Sequence, residues 1–165
     1  MKISGILSAG LAASIAFASV AFPAHAADVR GKDSSAKALI QAEKNKHLVL
    51  EAYQGLFGDH DLTVVDRYWA KDYIQHNPYM SDGRDSVKEF VQKMGMQNWP
   101  KFKVNFLRVA ADGDLVFLQT VQPKTDQSPE MVIVDIFRVE NGKLAEHWDT
   151  MQAVPTDATN KRSMY

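Results

Sequence analysis

Met131-Val-Ile-Val-Asp135-Ile-Phe-Arg-Val139, joined through Glu140-Asn-Gly-Lys143 to Leu144-Ala-Glu-His147-Trp-Asp149-Thr-Met151, is the stretch that decides how this chain folds. The β-branched and aromatic residues of both halves predict two strands, and Asn141-Gly142 between them predicts a tight hairpin turn. Asp135 interrupts an otherwise apolar run, where an unpaired buried carboxylate costs roughly 2 kcal/mol or more. His147, Asp149 and Met151 alternate with Trp148 and so share one face of the second strand. A strand needed only for stability would carry Val or Thr in place of Asp135, which points to a chemical reason for the carboxyl group.

Upstream of this hairpin, Phe102–Ala110 and Leu115–Gln122 read as two more strands flanking the turn Ala111-Asp-Gly-Asp114. Before Lys101 the period is helical. A helix is predicted over Ala38–Phe57, with Leu48, Ala52, Leu56 and Val49, Tyr53, Phe57 as adjacent apolar rows. Asp61 is placed to cap a short second helix bearing Leu62, Val65 and Trp69 on one side. Tyr73–Asn77 reads as a short strand stopped by Pro78, and Ser81–Arg84 opens a third helix with Val87, Phe90, Val91 and Met94 at helical spacing. Three helices, one short strand and a meander of four longer ones define an α+β domain: a curved, mostly antiparallel sheet wrapped around a long N-terminal helix, a cone with a pocket at its open end.

The ends read differently. Met1-Lys2, the Ala-rich apolar stretch Ile6–Phe22 and the small-residue site Ala24-His25-Ala26 form the pattern of a secretory signal over residues 1–26, so export to a periplasm or beyond is expected, with no membrane attachment after cleavage. Residues 27–37 are small and polar, an expected flexible lead-in to one domain over residues 38–155, and residues 156–165 form a polar tail. Basic and acidic residues are nearly balanced, 19 against 20, with no basic face, which argues against a nucleic-acid partner. The chain has no cysteine, which excludes thiol catalysis and Cys-based metal sites.

In order and spacing, Val49-Leu-Glu-Ala-Tyr53, Tyr73-Ile-Gln-His-Asn-Pro78, Gly83-Arg84 leading into Val87-Lys-Glu-Phe90, Val134-Asp-Ile-Phe-Arg138 and Gly142-Lys-Leu-Ala-Glu-His-Trp-Asp149 resemble the NTF2-like superfamily, and within it the SnoaL-like polyketide cyclase and aldol-condensation group. The resemblance implies the cone fold and an activity without a cofactor or metal. Ketosteroid isomerase, another member of the superfamily, uses an Asp base with a Tyr and a protonated Asp as oxyanion donors. By motif, Tyr53 falls at the Tyr, Asp135 at the protonated Asp and Asn77 at the base. Asn cannot accept a proton at useful pH, so a replacement base would come from His76, His147 or Asp149.

Each of these residues also has a plainer reading. Asp135 is a donor to an oxyanion or an orienter of a His, or else a structural carboxylate paired with an Arg or a backbone donor. His147 is a general base if its face points into the cone, and an outer-surface histidine if Trp148 fills the core instead. His76 stands at a pocket rim or caps the strand end. Asn77 binds substrate or ties the turn, and Tyr53 donates to a ligand or packs. Trp69, Phe90 and Met151 are expected in the pocket wall. A metal set of His76, His147 and Asp135 would require three separate elements to converge.

The expected function is an exported, cofactor-independent enzyme acting on a small lipophilic carbonyl compound. In it, His147 or His76 abstracts a proton next to the carbonyl and Asp135 with Tyr53 stabilises the enolate, leading to aldol cyclisation, isomerisation or hydration. The alternative is a non-catalytic binding protein for a lipophilic ligand. Val132, Val134 and Ile136 lie opposite Asp135, and this second apolar face predicts a homodimer packed sheet to sheet.

Overall fold

A computed structural model describes residues 25–126 and 128–165, with side chains from residue 33 onward. Most of the expected leader therefore lies outside the described residues. Helix α1 spans His25–Tyr53, α2 Thr63–Tyr68 and α3 Arg84–Lys93; the strands are β1 Trp69–Gln75, β2 Asn105–Asp112, β3 Leu115–Gln122, β4 Met131–Glu140 and β5 Lys143–Ala153. They form one mixed sheet in the order β1-β5-β4-β3-β2, antiparallel throughout except that β1 runs parallel to β5. This is the expected α+β architecture. No helix among the described residues is long and apolar enough to cross a membrane.

Helix α1 lies across the concave face of the sheet because its apolar rows match the sheet's inner residues. Val49, Ala52, Tyr53 and Leu56 are buried against Val116, Leu118 and Phe137 of the strands. Asn45, also buried, donates from Nδ2 to the carbonyl of Gly113 at 2.9 Å, tying the helix to the β2–β3 turn. A single π-helical turn, Gln54–Gly58, ends it. Leu62, rather than Asp61, stands at the cap position of α2, and Asp61, one residue earlier than a cap, accepts through Oδ1 from the N–H of Thr63 at 2.9 Å.

Several boundaries differ from the sequence expectation, among them the ends of the first helix and of the short strand, observed as His25–Tyr53 and Trp69–Gln75. The first helix begins at His25 rather than near Ala38, so the segment expected as a lead-in is helical. Trp69 does not belong to the second helix: it opens β1 and is buried. Its backbone is extended, with φ −86° and ψ 140°, and pairs with Leu144 of β5. The first long strand starts at Asn105 rather than Phe102, because Phe102 and Val104 are held by the π turn instead. No helix or strand follows Ala153, and the terminal Tyr165 hydroxyl is hydrogen-bonded to Glu130.

The decisive local feature is the β4–β5 hairpin. Asn141 and Gly142 both take positive φ, 50° and 71°, as a two-residue hairpin turn requires. Counted from that turn, Glu140 pairs with Lys143 and Val139 with Leu144; beyond Arg138 the register shifts by one, pairing Phe137 with His147 and Asp135 with Asp149. Ala145 is the extra residue, a bulge in β5. Without it, a regular ladder would set Trp148 opposite Asp135 and turn His147 to the other face.

Candidate active site

Inside the cone is a cavity of about 580 Å³ whose wall is mostly apolar, including Phe57, Trp69, Tyr73, Phe90, Met96, Trp99 and Phe137. One cluster of its polar groups comes from neighbouring positions on the inner face of the sheet. The bulge brings His147 and Asp149 of β5 beside Asp135 of β4, and β1 adds Gln75, paired with His147, and Asn77 just beyond the strand.

Asp135 and His147 are 5% and 7% exposed, and the imidazole Nε2 lies 3.0 Å from Asp135 Oδ1. The other carboxyl oxygen, Oδ2, accepts from the Tyr53 hydroxyl at 3.1 Å, and that hydroxyl also meets Thr120 Oγ1 at 3.2 Å. On the far side of the ring, His147 Nδ1 lies 2.9 Å from Gln75 Oε1. The ring is held nearly parallel to Phe137, 4.5 Å between centroids, and Tyr73 lies on a similar plane at 6.5 Å. Asn77 Nδ2 reaches both oxygens of Asp149, at 3.0 and 2.8 Å, while its own Oδ1 accepts from the Tyr79 N–H.

Two tyrosines frame these groups. Burial, reinforced by the Asp135 charge, pushes the Tyr53 hydroxyl well above its ordinary ionisation range, and burial raises Tyr73 as well. Both therefore remain neutral donors at any working pH. Two carboxylates directly opposite across a strand pair repel one another. The structure meets that cost with a donor on each: Tyr53 on Asp135 and Asn77 on Asp149.

Eight of the nine residues singled out in the sequence line this cavity: Asp135, His147, Asp149, Tyr53, Asn77, Trp69, Phe90 and Met151. His76 does not. Strand alternation turns it to the outer face, where it stacks on Trp148 at 4.7 Å and its Nε2 meets Glu146 Oε1 at 2.8 Å. Hydrogen bonds from His76 and Arg138 hold Glu146 below the usual carboxylate range. The His76–His147–Asp135 metal set therefore does not assemble. Asp135, His147 and Asp149 each offer a donor atom within 4.8 Å of the others, a spacing that a small cation could bridge. Gln75 and Thr120 were missed from sequence. Their signal was present: Gln75 lies two residues from Asn77 on the same strand face, and Thr120 is a polar residue in the apolar run of β3.

A curved sheet closed over a helix, with acid–base groups in the wall of an apolar hollow, defines the NTF2-like class of small-molecule cones. The chain belongs to the SnoaL-like domain family, whose model matches residues 49–147. Among solved structures it resembles a candidate ketosteroid isomerase from Kribbella flavida, at 16% identity, 76% of this chain, 90% of the other and a TM-score of 0.57. An LEH-like epoxide hydrolase of M. tuberculosis is similar at 20% identity, 67% and 84% coverage and a TM-score of 0.54. A candidate polyketide cyclase from Acidithiobacillus ferrooxidans is similar at 16% identity, 66% and 87% coverage and a TM-score of 0.51. At these identities the likeness is one of fold. No curated protein matches the chain.

Proposed function

We propose that this protein is an enzyme that enolises a small, largely apolar carbonyl compound, as a cyclase or isomerase of the SnoaL-like family would. The observation that carries the reading is the convergence of Asp135, His147 and Asp149 within 4.8 Å in the wall of a mostly apolar cavity. Of the three replacement bases expected from sequence, His76 is on the outer face, and His147 has both ring nitrogens engaged. Asp149 remains. Its carboxylate sits against the amide of Asn77, the position that the isomerase motif would give to the base, and has lone pairs to spare.

In this mechanism Asp149 takes the proton from the carbon next to the carbonyl. The proton held between His147 Nε2 and Asp135 Oδ1 passes to the carbonyl oxygen, forming the enol. Tyr53 stabilises the carboxylate left on Asp135. Return of the proton at another carbon gives isomerisation; attack of the enol on a second carbonyl in the same molecule gives aldol closure. The apolar wall keeps water from competing with either outcome.

Hydrogen–deuterium exchange next to the carbonyl of aryl and cyclic 1,3-diketones, followed by NMR in D₂O, tests this without knowledge of the natural product. Exchange faster than buffer is expected for the native protein, with a loss of about 1,000-fold in Asp149→Asn. No acceleration by the native protein, or an unchanged rate in Asp149→Asn, would end the reading. The rival is a carrier of lipophilic molecules, favoured by the apolar wall; it predicts tight diketone binding with no exchange.

We further propose, from the leader pattern, that the chain is exported, and, from the outer sheet face, that it works as a homodimer. Ile74 and Val134 are each 40% exposed there, beside Ile136 and Trp148.

A further inference from the structure

The amide of Gln75 carries information about where the protons of the site reside. Its Oε1 lies 2.9 Å from the backbone N–H of Asn77 and 2.9 Å from His147 Nδ1, while its Nε2 faces the Met80 sulfur at 3.5 Å. A backbone N–H can only donate, so the Gln75 atom in front of it is the oxygen; turning the amide over would set two donors against each other. An oxygen has no proton to offer, so the contact with the imidazole requires Nδ1–H. Turning the ring over instead would present carbon atoms to Gln75 and Asp135 and forfeit both contacts. Gln75 is itself pinned, its own N–H donating to Asp82 Oδ1 at 2.9 Å.

We propose that Gln75 is a positioning residue that holds His147 in the Nδ1–H form, so that Nε2 and Asp135 Oδ1 share one movable proton. The chemical consequence is direct. A ring protonated on Nδ1 can accept and return a proton at Nε2, alternating between neutral and cationic forms. A ring protonated only on Nε2 would have to become an anion to give that proton up, which imidazole does not do near neutral pH. The charged and titratable groups around the ring are Asp135 from β4, Asp149 from β5, Tyr53 from α1 and Tyr73 from β1. Among the groups hydrogen-bonded to this ring, Gln75 alone touches Nδ1, so it decides the tautomer.

The consequence for turnover rests on the enolisation reading; the assignment of the proton does not. Nitrogen-15 NMR on histidine-labelled protein tests the assignment without substrate. The native protein should show a hydrogen bonded directly to His147 Nδ1. Gln75→Met, which removes the acceptor at similar length, should lose that signal to a mixture of forms. Gln75→Glu, which keeps an oxygen there, should retain it. Under the exchange assay, Gln75→Met should lower kcat by about 100-fold with KM changed by less than about threefold, and Gln75→Glu should recover most of the loss. A bare Nδ1 in the native protein, or an undisturbed Nδ1–H in Gln75→Met, overturns the proposal. If Gln75→Met loses its dispersed spectrum, the native protein and Gln75→Glu decide the matter. Absence of exchange in the native protein overturns enolisation, while the NMR result still decides the role of Gln75.

Discussion

Tyr53 joins the helix to the chemistry, since its single hydroxyl touches both Asp135 and Thr120 while its ring packs against Phe57 and Phe137. Its burial has a cost that appears only in alkali. An unfolded tyrosine ionises near pH 10, whereas folded Tyr53 holds its proton well above that, as does Tyr73. Above pH 10 the folded chain thus binds more protons than the unfolded one. Stability present below pH 10 is then lost as pH rises toward the folded values, by up to about 1.4 kcal/mol per pH unit for each tyrosine. Urea titrations between pH 9 and 11 should show this decline, and Tyr53→Phe should make it shallower. An equal slope in Tyr53→Phe would mean that the hydroxyl is not shielded as the structure has it.

At the scale of elements, the π turn after Tyr53 sets how α1 meets the sheet. Gln54 bridges it to the start of β2: Nε2 donates to the Phe102 carbonyl at 3.0 Å, and Oε1 accepts from the Val104 N–H at 2.9 Å. Gly58 leaves room for that bridge. A Cβ at Gly58 would lie 2.1 Å from Gln54 Nε2 and 2.6 Å from the Phe102 carbonyl oxygen, and the second of these is backbone that cannot swing away. Gly58→Ala should therefore cost about 2 kcal/mol or more in urea unfolding. Gly113→Ala is the contrast. It has open space and only a positive φ of 61°, so it should cost about 1 kcal/mol. Equal costs for the two would show that the bridge is not tightly packed.

For the molecule as a whole, the two faces of one sheet have different work. The inner face is polar at its centre and apolar around it; the outer face carries an ion-pair network, Arg138 with Glu140 and Glu146, next to exposed Ile74 and Val134. Expression with the native leader checks both proposals made at this scale. Exported protein should begin at Ala27 by mass spectrometry and run as a dimer in light scattering, and Val134→Lys should shift it to a monomer. A retained leader would refute export, and a native monomer would refute the sheet-to-sheet dimer.

How much of this was legible beforehand differs from residue to residue. The strands of the 131–151 hairpin, the apolar rows of α1 and the anomaly of Asp135 are local facts of pattern, because side-chain alternation and helical period follow from backbone geometry alone. The inward direction of His147 is not local. The Asn141-Gly142 turn and regular pairing would by themselves have placed Trp148 inside, and the bulge at Ala145 reverses that by adding one residue to β5. The same holds for β1: its parallel pairing with β5 sets Gln75 against His147, leaves Asn77 beside Asp149, and sends His76 outward, although nothing in residues 69–77 names the partner strand. The chain's own order thus determined which groups were available for chemistry. Which of them meet was decided only in three dimensions, because register and strand partnership depend on residues far apart in sequence.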